Sequence, residues 1–205
     1  MLSTPVAQAT DYSRFVVGYH GCDLSVAKAV LLGDDALAAS WNNYDWLGSG
    51  VYFWEHGPVR ALEFAVSESR RDSRKISKPT AIGAYIFLGN CFDLLDTRYT
   101  SILEEVYQPF VRSLRQQKLP IPKNEKRRSD GTKLLHRRDR AVIEFAMGLM
   151  DMKFDTVRGA FWEGPPVYPG AEIRRQSHIQ IAVRNPECVL GYFMPRKLVD
   201  GLPSF

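Results

Sequence analysis

Gly48-Ser49-Gly50-Val51-Tyr52-Phe53-Trp54-Glu55 is the stretch that most narrows what this chain can fold into. Two glycines one residue apart let a backbone turn tightly and approach another group closely, and the Val-Tyr-Phe run that follows reads as a short strand. A tryptophan-rich approach, Trp41 to Leu47, leads into it, and Gly57-Pro58 beyond it fits a helix start, since proline is tolerated in a first helical turn. Taken alone, such a stretch is a hairpin entry followed by an aromatic core strand.

The remaining pattern alternates strands with helices of unequal length. Ser13 to Tyr19 reads as a first core strand ending at His20-Gly21, and Asp23 or Ser25 caps a helix that Gly33 stops. Leu37 to Asp45 is irregular, with a turn at Asn42-Asn43 and with Trp41, Tyr44 and Trp46 close by. A helix with an apolar stripe at Val59, Leu62, Ala65 and Val66 runs to about Arg71, and Lys75 to Pro79 is a surface linker. Ala81 to Leu88 is a strand, Ile102 to Leu114 a helix bent at Pro109, and Asp139 to Met150 a further helix. Phe154 to Phe161, His178 to Val183 and Cys188 to Phe193 are strands, the last two joined across Asn185-Pro186. The Pro/Gly-rich run from Trp162 to Gly170 excludes regular structure. This order fits α+β rather than a regular βαβ series.

At 205 residues the chain suits one well-filled core, so residues 1–205 read as a single domain. No apolar run is long enough to cross a bilayer, which argues against a membrane partner. Met1 to Tyr12 lacks the basic start and apolar centre of a signal peptide, so the expected location is the cytoplasm. Cys22, Cys91 and Cys188 are odd in number and widely spaced, which argues against a disulfide framework and against a metal site. Cys22 shares a strand face with His20, so a Cys/His nucleophile pair is geometrically open. The net charge of +4 is concentrated: Lys123 to Arg140 carries eight Lys/Arg against three acids, a local +5, and the rest of the chain is close to neutral. This basic loop, residues 119–140 with its proline-rich lead, suits a polyanionic partner such as RNA or DNA, or is a solvated surface loop.

Two further stretches change the reading of the glycine motif: Val16-Val17-Gly18-Tyr19-His20-Gly21-Cys22 and Ser177-His178-Ile179-Gln180-Ile181-Ala182-Val183. Together the three resemble the ADP-ribosyltransferase fold family, in its diphtheria-toxin and poly(ADP-ribose) polymerase-like branch, over about residues 14–194. His20, Tyr52 and Gln180 fall on the signature positions. The resemblance implies two packed, mostly antiparallel sheets forming a split NAD-binding cleft with flanking helices, and NAD as co-substrate without a metal.

By the same resemblance, His20 hydrogen-bonds a ribose hydroxyl, Gly21 meets the nicotinamide amide through its backbone, Gly50 of the glycine motif is a further cofactor-binding residue, and Tyr52 stacks on the nicotinamide ring. Arg60 stands where polymerase relatives carry a serine that holds nicotinamide, and Glu63 where they carry a second stacking tyrosine, a loss Phe64 makes up from one position along. Gln180 replaces the glutamate of the fullest pattern; it keeps a hydrogen bond but supplies no charge and no base, which argues against polymer synthesis and leaves mono-transfer. Glu163, in the loop that meets the acceptor in this family, and His178, on the face of Gln180, are the candidate bases, with an ordinary surface loop as the alternative for Glu163. Glu55 and Arg158-Gly159 either line the cleft or form surface salt bridges.

The function expected is mono-ADP-ribosyl transfer to a macromolecule, RNA or DNA first and protein next, of toxin or phage-defence type, with an antitoxin protein as a further expected partner. Three alternatives stay open: an NAD glycohydrolase, an inactive NAD or ADP-ribose binding module that docks on nucleic acid, and a relative of the RNA 2′-phosphotransferases, for which Arg174, Arg175 and Arg184 are the relevant cations.

Overall fold

A computed structural model describes residues 14–43, 45–72, 75–126, 134–150 and 152–195. Strand β1 is Phe15–Asp23, followed by α1 (Leu24–Leu32), β2 (Val51–Glu55), α2 (Pro58–Arg71), β3 (Pro79–Phe87), β4 (Cys91–Asp93) and α3 (Thr97–Gln116). A two-stranded ribbon of β5 (Glu125–Lys126) and β6 (Leu134–Leu135) precedes α4 (Arg137–Leu149). The chain then lays down β7 (Thr156–Phe161), β8 (His178–Val183), a short 3₁₀ turn (Pro186–Cys188) and β9 (Val189–Phe193).

The chain is α+β, but the expected pair of sheets is replaced by one mixed sheet of seven strands in the order β4-β7-β8-β2-β1-β3-β9. All its pairings are antiparallel except β4 with β7. The sheet is continuous because β1 and β2 keep a short ladder, Gly18↔Glu55 and Tyr19↔Trp54. That junction is thin: β1 pairs with β3 over its full nine residues, whereas it meets β2 over two. The sheet thus divides into a β4-β7-β8-β2 half and a β1-β3-β9 half. Strands β8 and β9, consecutive in sequence, lie in different halves.

Side-chain alternation then assigns three cores. Phe53, Ile181 and Val183 of the first half join Ile82, Ala84 and Ile86 of the second in one cluster, which also takes Ala27 and Val30 of α1. On the other face of the first half, Val157 and Ala182 pack with Val106, Phe110, Val142 and Ile143 of α3 and α4. Helix α2 covers that face of the second half, where Ala61 and Ala81 pack with Trp54. Small residues let α2 lie very close: a Cβ on Gly21 would stand 2.1 Å from the Ala61 carbonyl oxygen.

Local chemistry explains the helix limits. Asp23 caps α1, Gly33 ends it in the left-handed conformation, Pro58 opens α2 and Asp96 caps α3. Helix α3 runs unbroken through Pro109, since Val106, Phe110 and Val111 are held in the core on either side of it. Strand β1 continues past His20-Gly21 to Asp23 because β3 pairs with it to the end. The 75–79 linker lies at the surface and is pinned there: the Asp23 carboxylate accepts from Ser25 N–H (2.8 Å), Ser77 N–H (2.7 Å) and Lys78 N–H (2.8 Å), and from both serine hydroxyls.

A buried charge network joins strands of the first half and reaches the second through the half-exposed Arg14. Arg158, in β7, spans β8 to grip Glu55 of β2 with two hydrogen bonds of 2.6 and 3.0 Å, and meets Asp93 of β4 at 3.0 Å. Asp93 also accepts from Arg14, just ahead of β1, at 3.0 Å. Glu55 and Arg158 therefore form an interior network instead of a cleft wall or a surface salt bridge.

The donors from Lys78 and Ser25 hold the Asp23 carboxyl far below the usual carboxylate range. A depressed folded-state pKa contributes stability above the unfolded value of about 4, and that contribution fades as the pH falls through the folded value. Urea denaturation across pH should show Asp23→Asn less stable than the parent at pH 7 and lacking part of its decline below about pH 4. Parallel curves would rule the pin out.

Candidate functional site

The expected site lies at the β1–β2 junction, where backbone direction is fixed by two hydrogen bonds. Val17 O accepts from His56 N–H (2.9 Å) on the β2 side, and Arg14 O accepts from Leu88 N–H (2.9 Å) on the β3 side. Alternation then points the peptide groups of Tyr19 and Gly21 toward β2. Tyr19 pairs with Trp54, but the next rung, Gly21 with Tyr52, is not formed. In its place the His20 side chain donates from Nδ1 to the Tyr52 carbonyl oxygen at 2.8 Å. By the same alternation the Gly21 N–H points toward β2 at this unformed rung, in a buried position beneath α2.

That hydrogen bond settles the state of His20. A carbonyl only accepts, so Nδ1 carries the proton and Nε2 is an acceptor. Burial lowers the imidazole pKa and outweighs the opposing effect of the bond to Tyr52 O, so the ring is neutral at pH 7. Nε2 can therefore accept from a hydroxyl, as a sugar would offer. By parity His20 lies on the face of Phe53, whose ring is 5.8 Å away, whereas Tyr52, Trp54 and Gln180 share the opposite face. The three signature residues thus sit on three adjacent strands but do not share a face: Tyr52 and Gln180 lie on one, and His20 lies on the other with its Nδ1 turned to the Tyr52 carbonyl. Cys22 is buried, and burial with the neighbouring Asp23 charge pushes its thiol up to about 11, so it is no nucleophile beside His20.

Tyr52 is held in one orientation by its hydroxyl. Its hydroxyl donates to Gly48 O at 2.7 Å and accepts from Leu47 N–H at 3.1 Å, and burial pushes its pKa far above the usual phenol range. The glycine motif is correspondingly closed. Gly48 N–H donates to Asp45 O, Ser49 N–H to the Glu144 carboxylate and Gly50 N–H to Ser40 O, so these amides do not form an anion cradle. The glycines are there for shape: Gly48 (φ 85°) and Gly50 (φ 153°) would place a Cβ 2.2 Å from Glu144 Oε1 and 2.7 Å from Val183 O. Glu144 is itself held by Arg184 at 3.2 Å.

Gln180 stands between Gly159 of β7 and Trp54 of β2. Beside it runs a row of aromatic rings. His178 stacks on Phe161 (5.2 Å, 5°) and lies 6.2 Å from Trp54, which packs on Phe64 at 5.1 Å. His178 Nδ1 donates to Gln176 O at 2.6 Å. Arg60 lies 6.0 Å over the Trp54 ring and bonds both Glu63 and Glu163 at 3.0 Å. Glu163 is thus tied to α2, and Arg60 is occupied by two carboxylates.

The loop after β7 is more ordered than its prolines suggested. Gln176 N–H donates to Glu163 O, Arg175 N–H to Pro165 O and Val167 N–H to Ile173 O, closing a hairpin-like loop around the Pro166↔Arg174 bridge. It holds Trp162 (74 % exposed), Tyr168 (61 %) and Ile173 (64 %) in the open. A groove of about 990 Å³ separates this loop from α2, lined by Val59, Arg60, Glu63, Glu163 and Gln176. A second, of about 770 Å³, opens between α3 and α4 with Trp46 at one end and Gly159 in its wall. Trp46 stacks on His136 at 3.8 Å.

Residues 127–133 of the basic loop, and Tyr44, lie outside the described residues. The described arginines near the loop serve the fold: Arg137 bonds Glu125, Arg138 bonds Pro122 O and Arg140 bonds Asn42 O. No group of metal-ligating side chains occurs among the described residues, and no helix there is long and apolar enough to cross a membrane.

The Tyr52 hydroxyl bonds predict a structural cost separable from any ligand role. Tyr52→Phe should lose about 1–2 kcal/mol in urea denaturation, because the Leu47 N–H and Gly48 O lose their partner. An unchanged midpoint would contradict the anchoring role.

No protein-family profile, no curated protein and no solved structure matches this chain.

Proposed function

We propose that the chain is an NAD-dependent mono-ADP-ribosyltransferase whose dinucleotide site is the seam between β1 and β2. The observation that carries this reading is the missing rung: His20 is held neutral with Nε2 as an acceptor, the Gly21 amide points toward the unformed pairing, and Gln180 lies one strand beyond. A ribose hydroxyl donating to His20 Nε2 and a carboxamide oxygen accepting from Gly21 N–H would restore what the interrupted ladder leaves open.

In this reading the bond from ribose C1′ to nicotinamide nitrogen breaks, nicotinamide leaves neutral, and positive charge develops on the ribose. The site's work is to hold the dinucleotide in a reactive geometry, since the leaving group needs no proton. Gln180 orients the ribose through its carboxamide. The acceptor's proton then passes to a base, for which Glu163, bonded by Arg60 of α2, is the candidate. Exposed Trp162 and Tyr168, with Arg174 and Arg175 on the same loop, favour a nucleic-acid acceptor with accessible bases.

The test is incubation with labelled NAD and cell extract, with separate nuclease and protease treatment. The expected result is label that nuclease removes, and Gln180→Ala should lower its incorporation at least about tenfold while the protein stays folded. Label removed by protease instead moves the acceptor to protein. Free ADP-ribose without labelled macromolecule makes the chain a glycohydrolase, and NAD left intact overturns the enzymatic reading.

A further inference from the structure

Trp54 carries a polar atom that the fold does not use. The residue is 4 % exposed, and its indole Nε1 is buried without a hydrogen-bond partner among the described residues. A buried donor left this way lowers the stability of the fold. Phenylalanine would fill the same cluster, between Phe64, Ala61 and Ala81, without that cost. The neighbouring Arg60 Nε is likewise buried and unpartnered, although its terminal nitrogens bond Glu63 and Glu163. Two adjacent donors therefore lack an acceptor. Trp54 is also opposite Gln180 in the ladder and adjoins the last rung before the seam.

Charge identifies the kind of acceptor. One guanidinium between two carboxylates leaves a local net negative charge over the indole, which disfavours a phosphate and suits a ligand pairing a neutral oxygen with a cationic ring. Resting on the reading of the seam as an NAD site, we propose that the Trp54 indole N–H is a second donor, beside the Gly21 amide, to the nicotinamide carboxamide oxygen. Glu63 and Glu163 lie on the side of the cationic pyridinium. Arg60 covers the indole in the present structure, so the oxygen reaches Nε1 as Arg60 shifts. Trp54 is then a specificity residue that tells oxidised NAD from ADP-ribose, which shares every other part of the molecule.

The test is calorimetric titration of the full chain and of Trp54→Phe with NAD and with ADP-ribose, alongside the indole N–H resonance of Trp54 in the parent protein. The expected result is an about tenfold weaker Kd for NAD in the variant, an unchanged Kd for ADP-ribose, and an indole resonance that NAD moves and ADP-ribose does not. Equal loss for both ligands, or an indole resonance that NAD leaves in place, overturns the assignment while the NAD site stands. Failure of the parent protein to bind NAD overturns the NAD reading of the seam, and this assignment with it. The resonance measurement needs no variant, so it decides the matter even where Trp54→Phe does not fold.

Discussion

One hydrogen bond, from His20 Nδ1 to the Tyr52 carbonyl, marks where this sheet stops being a sheet. Antiparallel strands gain stability by exchanging backbone bonds rung after rung, and a side chain that takes over one carbonyl ends the exchange there. On one side of this point β1 and β2 form a short ladder, and on the other the pairing of Gly21 with Tyr52 is not made. The two halves still behave as one body because a shared apolar core packs between them and because Arg158, Glu55, Asp93 and Arg14 bind their other ends. The β1–β2 ladder is bound by charge at one end and interrupted at His20 at the other.

The surroundings of the seam are rigid. Glu144 and the Tyr52 hydroxyl fix the glycine turn, Asp23 fixes the end of β1 through five donors, and the small faces of Gly21, Ala61 and Ala65 bring α2 against the strand. A buried carboxylate with that many donors, or a phenol bonded at both lone pair and proton, has little rotational freedom left. Such anchoring keeps His20 in one tautomer and one orientation. The catalytic reading asks nothing more of it, since a neutral imidazole acting as an acceptor has no proton to move.

Much of the fold was legible because it rests on local signals. Asp23 and Gly33 bracket α1, Pro58 opens α2, and the β-rich runs at 81–88 and 178–183 became strands where the pattern placed them. Long-range facts were not legible. The single sheet depends on which strands pair, and nothing in the run from His178 to Phe193 says that its two strands separate into different halves. Strand β4 is three residues long, too short for any periodicity, and its Asp93 meets Arg158 only after folding. The glycine motif drew attention to a ligand, whereas its amides are satisfied by Asp45, Glu144 and Ser40. Trp54, inside the same motif, passed as core because its unused N–H becomes visible only when its neighbours are known. The hairpin-like loop at 163–176 was hidden for a related reason: prolines speak against strands but not against three isolated cross-chain bonds.

The central claim, that Gly21 lies beside an open rung, is tested most directly by amide hydrogen exchange resolved at single residues. The account predicts that in the ligand-free protein Gly21 N–H exchanges quickly while Tyr19 N–H, one rung away, is strongly protected, and that saturating NAD slows Gly21 toward the rate of Tyr19. Slow exchange at Gly21 before any ligand is added would mean that the ladder continues past Tyr19, and the seam would not exist.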